Sequence, residues 1–245
     1  METNKKEAIK KAVFISALIL LIIIVGFFTI IYEIEGEKNL PFNLTKISII
    51  STADGIQAED NTIEVWQVND IYLSFEKNEN YNEQELIRRI GIENLQITQN
   101  PQIGEVNFYR PSNKETTTYE YEEDYIINNE LNYFGASQTN LKELNIANQG
   151  GTIGFRTCIK GIGNLAQTEE EGQIIGLTHD ATLLEKAQIN KENIKYQIQF
   201  DIVIELESDK KYKAEVTLDL PNEELERQTV NGIEKTDLDN IVFKR

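Results

Sequence analysis

The chain is poor in the residues that most often carry catalysis or cross-links: its 245 residues include one cysteine, one histidine, one tryptophan and four prolines. One cysteine excludes an intramolecular disulfide, so the fold has to be stabilised by burying apolar surface, which a chain of this length can do. One histidine excludes zinc sites built on several histidines. The chain also lacks internal repeats and any collagen-like or proline-rich stalk.

Positive charge is scarce as well. Residues 1–11 hold four lysines and two glutamates; the chain totals are 24 basic and 41 acidic residues, so 20 and 39 remain beyond the head, a net charge of −19. Such a surface repels nucleic acid, anionic lipid headgroups and anionic wall polymers, and attracts cations or basic partners. The same charge keeps a tethered domain soluble. We expect no nucleic-acid partner.

What the chain does have is one long apolar run. The 20 residues Val13–Tyr32 carry no charge, and at ~1.5 Å per helical residue they reach about 30 Å, the thickness of the bilayer interior. The lysine-rich head before the run predicts a cytoplasmic N-terminus. A cleaved signal peptide is the alternative; its apolar core is shorter and ends in small residues, whereas this run ends on Ile30, Ile31 and Tyr32.

We therefore expect a type II single-pass membrane protein. It has a cytoplasmic head at 1–12, a transmembrane helix at 13–32, a linker at 33–40 and an extracellular domain at 41–245. The polar stretch 111–130 is either a long loop of one domain or a boundary between two lobes.

The domain is predicted to be mainly β, an antiparallel β-sandwich-like fold with a few short helices. Apolar residues alternate with polar ones from Ile194 to Leu206 and again from Tyr212 to Leu220, with a turn at Ser208–Lys210, which indicates an antiparallel hairpin. Other strands are predicted at 45–51, 62–68, 71–75, 95–98, 105–109, 131–134, 152–159 and 241–244. The segment 62–75 reads as one bent strand or as two.

Capping patterns predict three short helices. Asn82 and Glu85 begin the first, which Gly91 ends. Asn140 and Glu143 begin the second, which Gly150–Gly151 ends. Asp180 caps the third, at 181–188.

Cys158 is the first candidate for chemistry. A membrane-anchored β domain with Thr157–Cys158 at a strand end resembles the sortases, which pair a cysteine with a histidine and an arginine. Arg156 shares the face of Cys158 on a strand, but His179 follows the cysteine instead of preceding it, and a cysteine nucleophile needs a nearby base or cation. An inert small residue in a strand is the alternative that the pattern favours.

Other candidates are weaker. His179–Asp180 lacks further zinc ligands and is better explained by a helix cap. Acidic groups at Asp54–Asp60, Glu122–Asp124 and Glu169–Glu171 offer oxygen ligands for calcium, but none matches a calcium-loop pattern, and solvated loop charge is the interpretation that the sequence favours. Trp66 and the ten tyrosines could line a glycan-binding face if they form an exposed row. We name no catalytic, cofactor-binding or metal-binding residue, and we expect no cofactor.

Four stretches together resemble a known group: Glu35–Phe42 (EGEKNLPF), Ala147–Thr152 (ANQGGT), Thr217–Pro221 (TLDLP) and Ile241–Arg245 (IVFKR). The chain is similar, along most of its length, to a group of uncharacterised single-pass membrane proteins of low-GC Gram-positive bacteria. The resemblance implies a short cytoplasmic head, an anchor and an extracytoplasmic domain. It implies no activity and no functional residue.

These observations favour a non-enzymatic interaction or assembly module of the bacterial cell envelope. Its partners would be other envelope proteins, bound at sheet edges and acidic loops, in part by strand addition. A cell-wall glycan-binding module is the second hypothesis, and a cysteine-dependent transpeptidase is the third.

Overall fold

The structure is a computed structural model. It describes residues 2–57, 62–113, 118–138, 143–166, 169–170, 173–174, 183–222 and 230–245. The apolar run lies within one helix, α1 (Glu2–Glu35). From Ile9 to Glu35 this helix is long and apolar enough to cross a membrane, and none of its most apolar window is buried against the rest of the chain.

Twelve strands follow in the described residues. Their bounds are β1 Phe42–Gln57, β2 Thr62–Lys77, β3 Ile87–Gln99, β4 Val106–Tyr109, β5 Glu130–Gly135, β6 Leu144–Ile146, β7 Gly150–Ala166, β8 Glu169–Glu170, β9 Gln173–Ile174, β10 Tyr196–Leu206, β11 Lys211–Leu220 and β12 Val230–Lys235. A one-turn helix, α2 (Leu183–Lys186), and 3-10 turns at Glu123–Tyr125 and Lys191–Ile194 connect them.

The strands form two five-stranded sheets and one small hairpin. The first sheet has the order β12-β1-β2-β7-β4 and the second has the order β11-β10-β3-β5-β6; β8 pairs with β9. All pairs are antiparallel except β5 with β6. The mainly β prediction with an N-terminal apolar helix is therefore confirmed.

A single large apolar cluster lies between the two sheets and takes side chains from both. Phe155 of the first sheet meets Phe200 of the second edge to face, with ring centroids 5.4 Å apart. The Tyr133 hydroxyl donates to the carbonyl oxygen of Gly154 at 2.5 Å, again across the two sheets. The sheets thus pack face to face around one core, as in a β sandwich.

The hairpin prediction is confirmed. β10 and β11 pair from Tyr196↔Leu220 to Glu205↔Lys211, and burial along β11 alternates at every residue. β10 is buried on both faces at Asp201 and Val203, because it lies inside the second sheet between β11 and β3 whereas β11 lies at its edge.

The first predicted helix is wrong. Residues 87–91 belong to β3, and Gly91 is a buried strand residue instead of a helix stop. Glu85 does not cap a helix; it is buried and accepts an ion pair from Lys210 at 2.8 Å. Pairing with β10 and β5 buries Ile90 and satisfies its backbone on both sides, and this tertiary gain outweighs a weak local helix propensity.

The second predicted helix is also wrong. Leu144–Ile146 forms β6 beside β5, and Asn140 lies outside the described residues. Gly150 and Gly151 open β7 with φ of 118° and 150° instead of ending a helix, conformations that glycine adopts readily.

Three smaller predictions have mixed outcomes. α2 falls within the third predicted helix, whose cap Asp180 is not among the described residues. The segment 62–75 is one strand, β2. Residues 241–244 form a single bridge, Lys213↔Lys244, where a strand was expected, because the chain there leaves the edge of β11 to cover the open side of the core with Phe243.

Candidate functional site

Cys158 lies on the outer face of the first sheet and is fully buried there. It packs with Trp66, Val68 and Tyr109 in a second, smaller apolar cluster. Burial raises the pKa of its thiol to about 12, although Lys160 and Arg156 act in the opposite direction. Since the thiolate is the reactive form, this cysteine is not poised as a nucleophile at neutral pH.

Arg156 shares the outer face with Cys158, but its guanidinium is bound elsewhere. Its Nε and Nη2 donate to the two carboxylate oxygens of Asp70 at 2.5 and 2.7 Å, and Nη1 donates to the Tyr121 hydroxyl at 2.5 Å. The guanidinium carbon also lies 4.3 Å from the ring centre of Tyr119. The two hydrogen bonds to Asp70 fix the position of the guanidinium on the sheet. The guanidinium in turn contacts Tyr119 and Tyr121, so it holds the segment 118–127 against the sheet.

Four aromatic side chains gather on the outer face of the first sheet: Trp66, Tyr109, Tyr119 and Tyr121. Tyr121 meets Trp66 and Tyr109 edge to face at 4.9 and 5.1 Å, and Lys160 lies 4.9 Å from the indole centre. Trp66 is only 9% exposed and Tyr109 only 1%, because residues 118–127 cover them. An exposed row for stacking on sugar rings is therefore not what this cluster provides.

The acidic groups considered for calcium do not converge within the described residues. Asp54 lies in β1 opposite Trp66, and Glu122–Asp124 is exposed at a 3-10 turn. His179, Asp180, Glu59 and Asp60 lie outside the described residues. Within the described part of the chain, no three histidine, cysteine or acidic side chains are close enough to hold a metal ion.

A buried polar network that the sequence did not indicate crosses the core. Three acceptors lie around Asn69 Nδ2, which can donate to two of them at a time: the Tyr196 hydroxyl at 2.6 Å, Gln67 Oε1 at 2.9 Å and Thr157 Oγ1 at 3.1 Å. Asn69 Oδ1 accepts from Ser51 Oγ at 2.6 Å and from Gln67 Nε2 at 3.3 Å. The network links β1, β2 and β7 of one sheet to β10 of the other. It is internally satisfied, so its role is to fix the alignment of the sheets.

β11 is one of the two outer strands of the second sheet. Some of its backbone N–H and C=O groups have no hydrogen-bond partner among the described residues. Lys213 exchanges both backbone hydrogen bonds with Lys244, each 2.8 Å long. Because alternate residues of an antiparallel strand bond to opposite sides, Glu215, Thr217 and Asp219 direct their N–H and C=O groups to the same open edge. In the described parts of the chain, no backbone group pairs with these three.

Residues 235–242 run beside this edge without pairing with it. Two cavities of about 500 and 300 Å³ separate them from β11. The lining is polar near Lys213 and Glu215 and apolar near Leu218, Leu238 and Ile241. We call this space, bounded by β11 and residues 235–244, the β11 groove.

The β11 groove is acidic in balance. Asp201, Glu215, Asp237 and Glu33 line it, against three lysines at positions 213, 235 and 244. Two of those lysines are already paired: Lys213 with Asp201 at 2.8 Å, which raises the pKa of Lys213, and Lys244 with Glu33. Among the described residues no lysine or arginine nitrogen lies within 4.0 Å of Glu215 or Asp237.

One end of the β11 groove is joined to α1. The Glu37 N–H donates to the Phe243 carbonyl at 2.8 Å, and the Tyr32 hydroxyl accepts from the backbone N–H of Arg245. Gly36 sits between them at φ +64°, where a side chain would overlap Val242 and the Phe243 carbonyl. The last residues of the chain therefore fasten the β domain to the end of the helix.

Comparisons of the chain with protein-family models, curated proteins and solved structures found no match. Function is therefore inferred from the geometry of the molecule. Within the described residues, the ten-residue outer strand β11 has backbone groups without partners at Glu215, Thr217 and Asp219, and it borders an acidic groove. Such an arrangement can bind an extended peptide segment.

Proposed function

We propose that this protein is a membrane-anchored interaction module of the bacterial cell envelope. Its head lies in the cytoplasm, α1 crosses the membrane, and the β domain lies outside, where it binds other envelope proteins at β11. The lysines before the apolar run and the glutamates after it support this orientation. The resemblance to single-pass proteins of Gram-positive bacteria supports the compartment.

The observation that carries the proposal is the length of the outer strand β11. The other outer strands, β4, β6 and β12, have four, three and six residues, whereas β11 has ten. Among the described residues, its part Glu215–Asp219 has no backbone partner on the outer side. Proteins usually shorten or cover such edges because they attract other strands. A long edge left open next to a groove is therefore suited to a partner.

The rest of the described surface points the same way. In the described part of the β domain, Leu86 is the one exposed large apolar side chain. This part of the surface therefore lacks the apolar patches that commonly mark protein interfaces. Recognition of a partner would depend on backbone hydrogen bonds and charge instead.

Site-specific photocrosslinking in intact cells tests the proposal. A photoreactive residue at Glu215 in the full chain should capture particular envelope proteins, identified by mass spectrometry. The same residue at Asn129, which is exposed near β5 on the far side of the second sheet, is the matched control. Equal capture at both positions, or capture of abundant neighbours alone, would refute the proposal.

A further inference from the structure

We propose that the β11 groove accepts an extended, basic segment of a partner envelope protein, added as an antiparallel strand alongside Glu215–Asp219. This inference rests on the proposed function and names the chemistry of its partner. The juxtaposition that carries it is a strand edge beside two carboxylates, Glu215 and Asp237. Within the described residues, the edge at Glu215–Asp219 has no backbone partner and these carboxylates form no ion pair. The chain itself already pairs with this edge at one position, Lys213.

The bridge at Lys244 shows that the edge can pair. Lys244 lies opposite Lys213 with two backbone hydrogen bonds of 2.8 Å, in the antiparallel sense. Beyond that bridge the chain turns away from β11, and the cavities begin. An added strand would continue the ladder where the chain leaves it, along five residues or about 17 Å of strand.

The backbone supplies most of the binding energy. Glu215, Thr217 and Asp219 each present one N–H donor and one C=O acceptor to this position. The cavities together fall in the range of about 300–1,000 Å³ that ligand sites in proteins usually have. The apolar stretch at Leu238 and Ile241 lies beneath the same space and favours apolar residues at alternate positions of the partner.

Charge selects the partner. Side chains directly opposite on paired strands lie about 4.5–5.5 Å apart and prefer opposite charge, so Glu215 favours a lysine or arginine across from it. Asp237 adds a second carboxylate to the same groove. At longer range, the net charge of −19 beyond the head draws basic segments toward the domain and repels acidic ones.

A second copy is a poor occupant of this site. Each copy carries a net charge of −19 beyond the head, so two domains repel each other at close range. A basic segment of a different chain meets no such repulsion.

Synthetic peptides test the inference on the full chain in detergent micelles. The probe is an acetylated, amidated eight-residue peptide of alternating valine and lysine. The controls are a valine–glutamate peptide and a valine–lysine peptide N-methylated at alternate residues, which cannot donate along one edge. We expect both controls to bind at least about tenfold more weakly than the probe, measured by fluorescence anisotropy.

Matched variants locate the site. Thr217→Pro removes the N–H that faces the groove, a change that an edge strand tolerates, and should weaken probe binding at least about tenfold. Thr217→Ala keeps the N–H and should bind within about twofold of the parent. Glu215→Lys should invert the preference between lysine and glutamate peptides.

Equal binding of both charge types, or binding that N-methylation leaves unchanged, overturns the inference. The N-methylated peptide needs no variant, so it decides the matter even where Thr217→Pro misfolds. The proposed function fails separately: capture at Glu215 in cells of partners without a basic extended segment overturns this inference alone, whereas no specific capture overturns both.

Discussion

In this protein, the role of a single side chain depends more on its surroundings than on its residue type. Cys158 and Arg156 are two residues apart on one strand face, the arrangement that suggested catalysis. The thiol is enclosed by Trp66 and Tyr109, and the guanidinium is held by Asp70. Asn69, which lies within the segment that reads as one strand or as two, is the centre of a buried network.

Cys158 should resist alkylation in the folded protein. Its thiol is buried and burial raises its pKa to about 12, so both access and thiolate are lacking at pH near 8. We expect a thiol-reactive maleimide to label the denatured chain fully and the native chain far more slowly, by intact mass. Rapid stoichiometric labelling of the native protein would show that the cluster opens.

Asn69→Ala should destabilise the fold strongly. It removes the hydrogen bonds of Asn69 to Ser51, Thr157 and Tyr196, each of which contributes about 0.5–1.5 kcal/mol. Thr157 and Tyr196 still bond to each other, and Ser51 still accepts from the Asn222 N–H. We expect a total loss of about 2–4 kcal/mol in urea unfolding followed by near-UV circular dichroism. Ser74→Ala, which removes an exposed bond to Thr152, is the control and should cost less than about 0.5 kcal/mol.

Whole elements show where pairing overrides local signals. Residues typical of helix N-caps precede β3 and β6, yet both segments form strands. β3 gains backbone hydrogen bonds and apolar contacts from β10 and β5, and β6 gains them from β5. In β10 and β11, apolar and polar residues alternate over the whole strand. This alternation specifies both the strand conformation and the register of pairing. Local patterns of three or four residues are weaker than that and yield to packing.

Gly135→Ala should disturb the junction of β3, β5 and β6. A methyl group there would overlap the Ile87 carbonyl oxygen and approach the Asn148 side-chain nitrogen at 2.7 Å. Overpacking of this kind typically costs about 1–3 kcal/mol.

Gly232→Ala is the matched control for that change, since its nearest neighbour would lie at an ordinary 3.7 Å. It should leave the free energy of unfolding within about 0.5 kcal/mol of the parent. The two variants are compared by urea unfolding, and equal stabilities would show that the junction yields to a methyl group.

At the scale of the molecule, the last residues of the chain tie together the helix, the β11 edge and the open side of the core. Phe243 is buried in the core, Lys244 pairs with β11 and Glu33, and Arg245 contacts Tyr32. The proposed binding site is thus adjacent to the end of α1. In the proposed orientation, a partner bound there would lie close to the membrane surface.

Membrane orientation can be tested by labelling added cysteines, because the buried native Cys158 should not react. Asn128→Cys places an exposed thiol on the β domain, and Lys6→Cys places one on the head. A membrane-impermeant maleimide should label the first in intact bacteria and the second only after lysis. The parent, with Cys158 buried, should stay unlabelled in both; labelling of the head in intact cells would reverse the topology.

Alkaline pH should weaken the fold. Burial raises the pKa of Cys158 and of Tyr121 to about 12, above their ordinary values of 9.0 and 10.0, and it raises the pKa of Tyr133 and Tyr196 as well. The folded state keeps these protons while the unfolded chain releases them. The stabilisation is therefore complete below pH about 9 and is lost as pH rises toward 12.

Urea midpoints measured from about pH 8 to about pH 11 check this. We expect a decline that begins near pH 9 and steepens above pH 10. A midpoint that stays constant to pH 11 would mean that these groups ionise in the folded state as easily as in the unfolded one.

The sequence by itself determined the apolar helix, the acidic domain, the mainly β class and the β10–β11 hairpin. Each of these follows from a composition or an alternation that extends over ten residues or more, so local chemistry specifies it. Only the tertiary structure decided that residues 87–91 are a strand, that Cys158 is enclosed, that Asn69 links the sheets, and that β11 is an outer strand beside a groove. Those properties depend on which strands become neighbours, and residues far apart in the chain set that through the core they share.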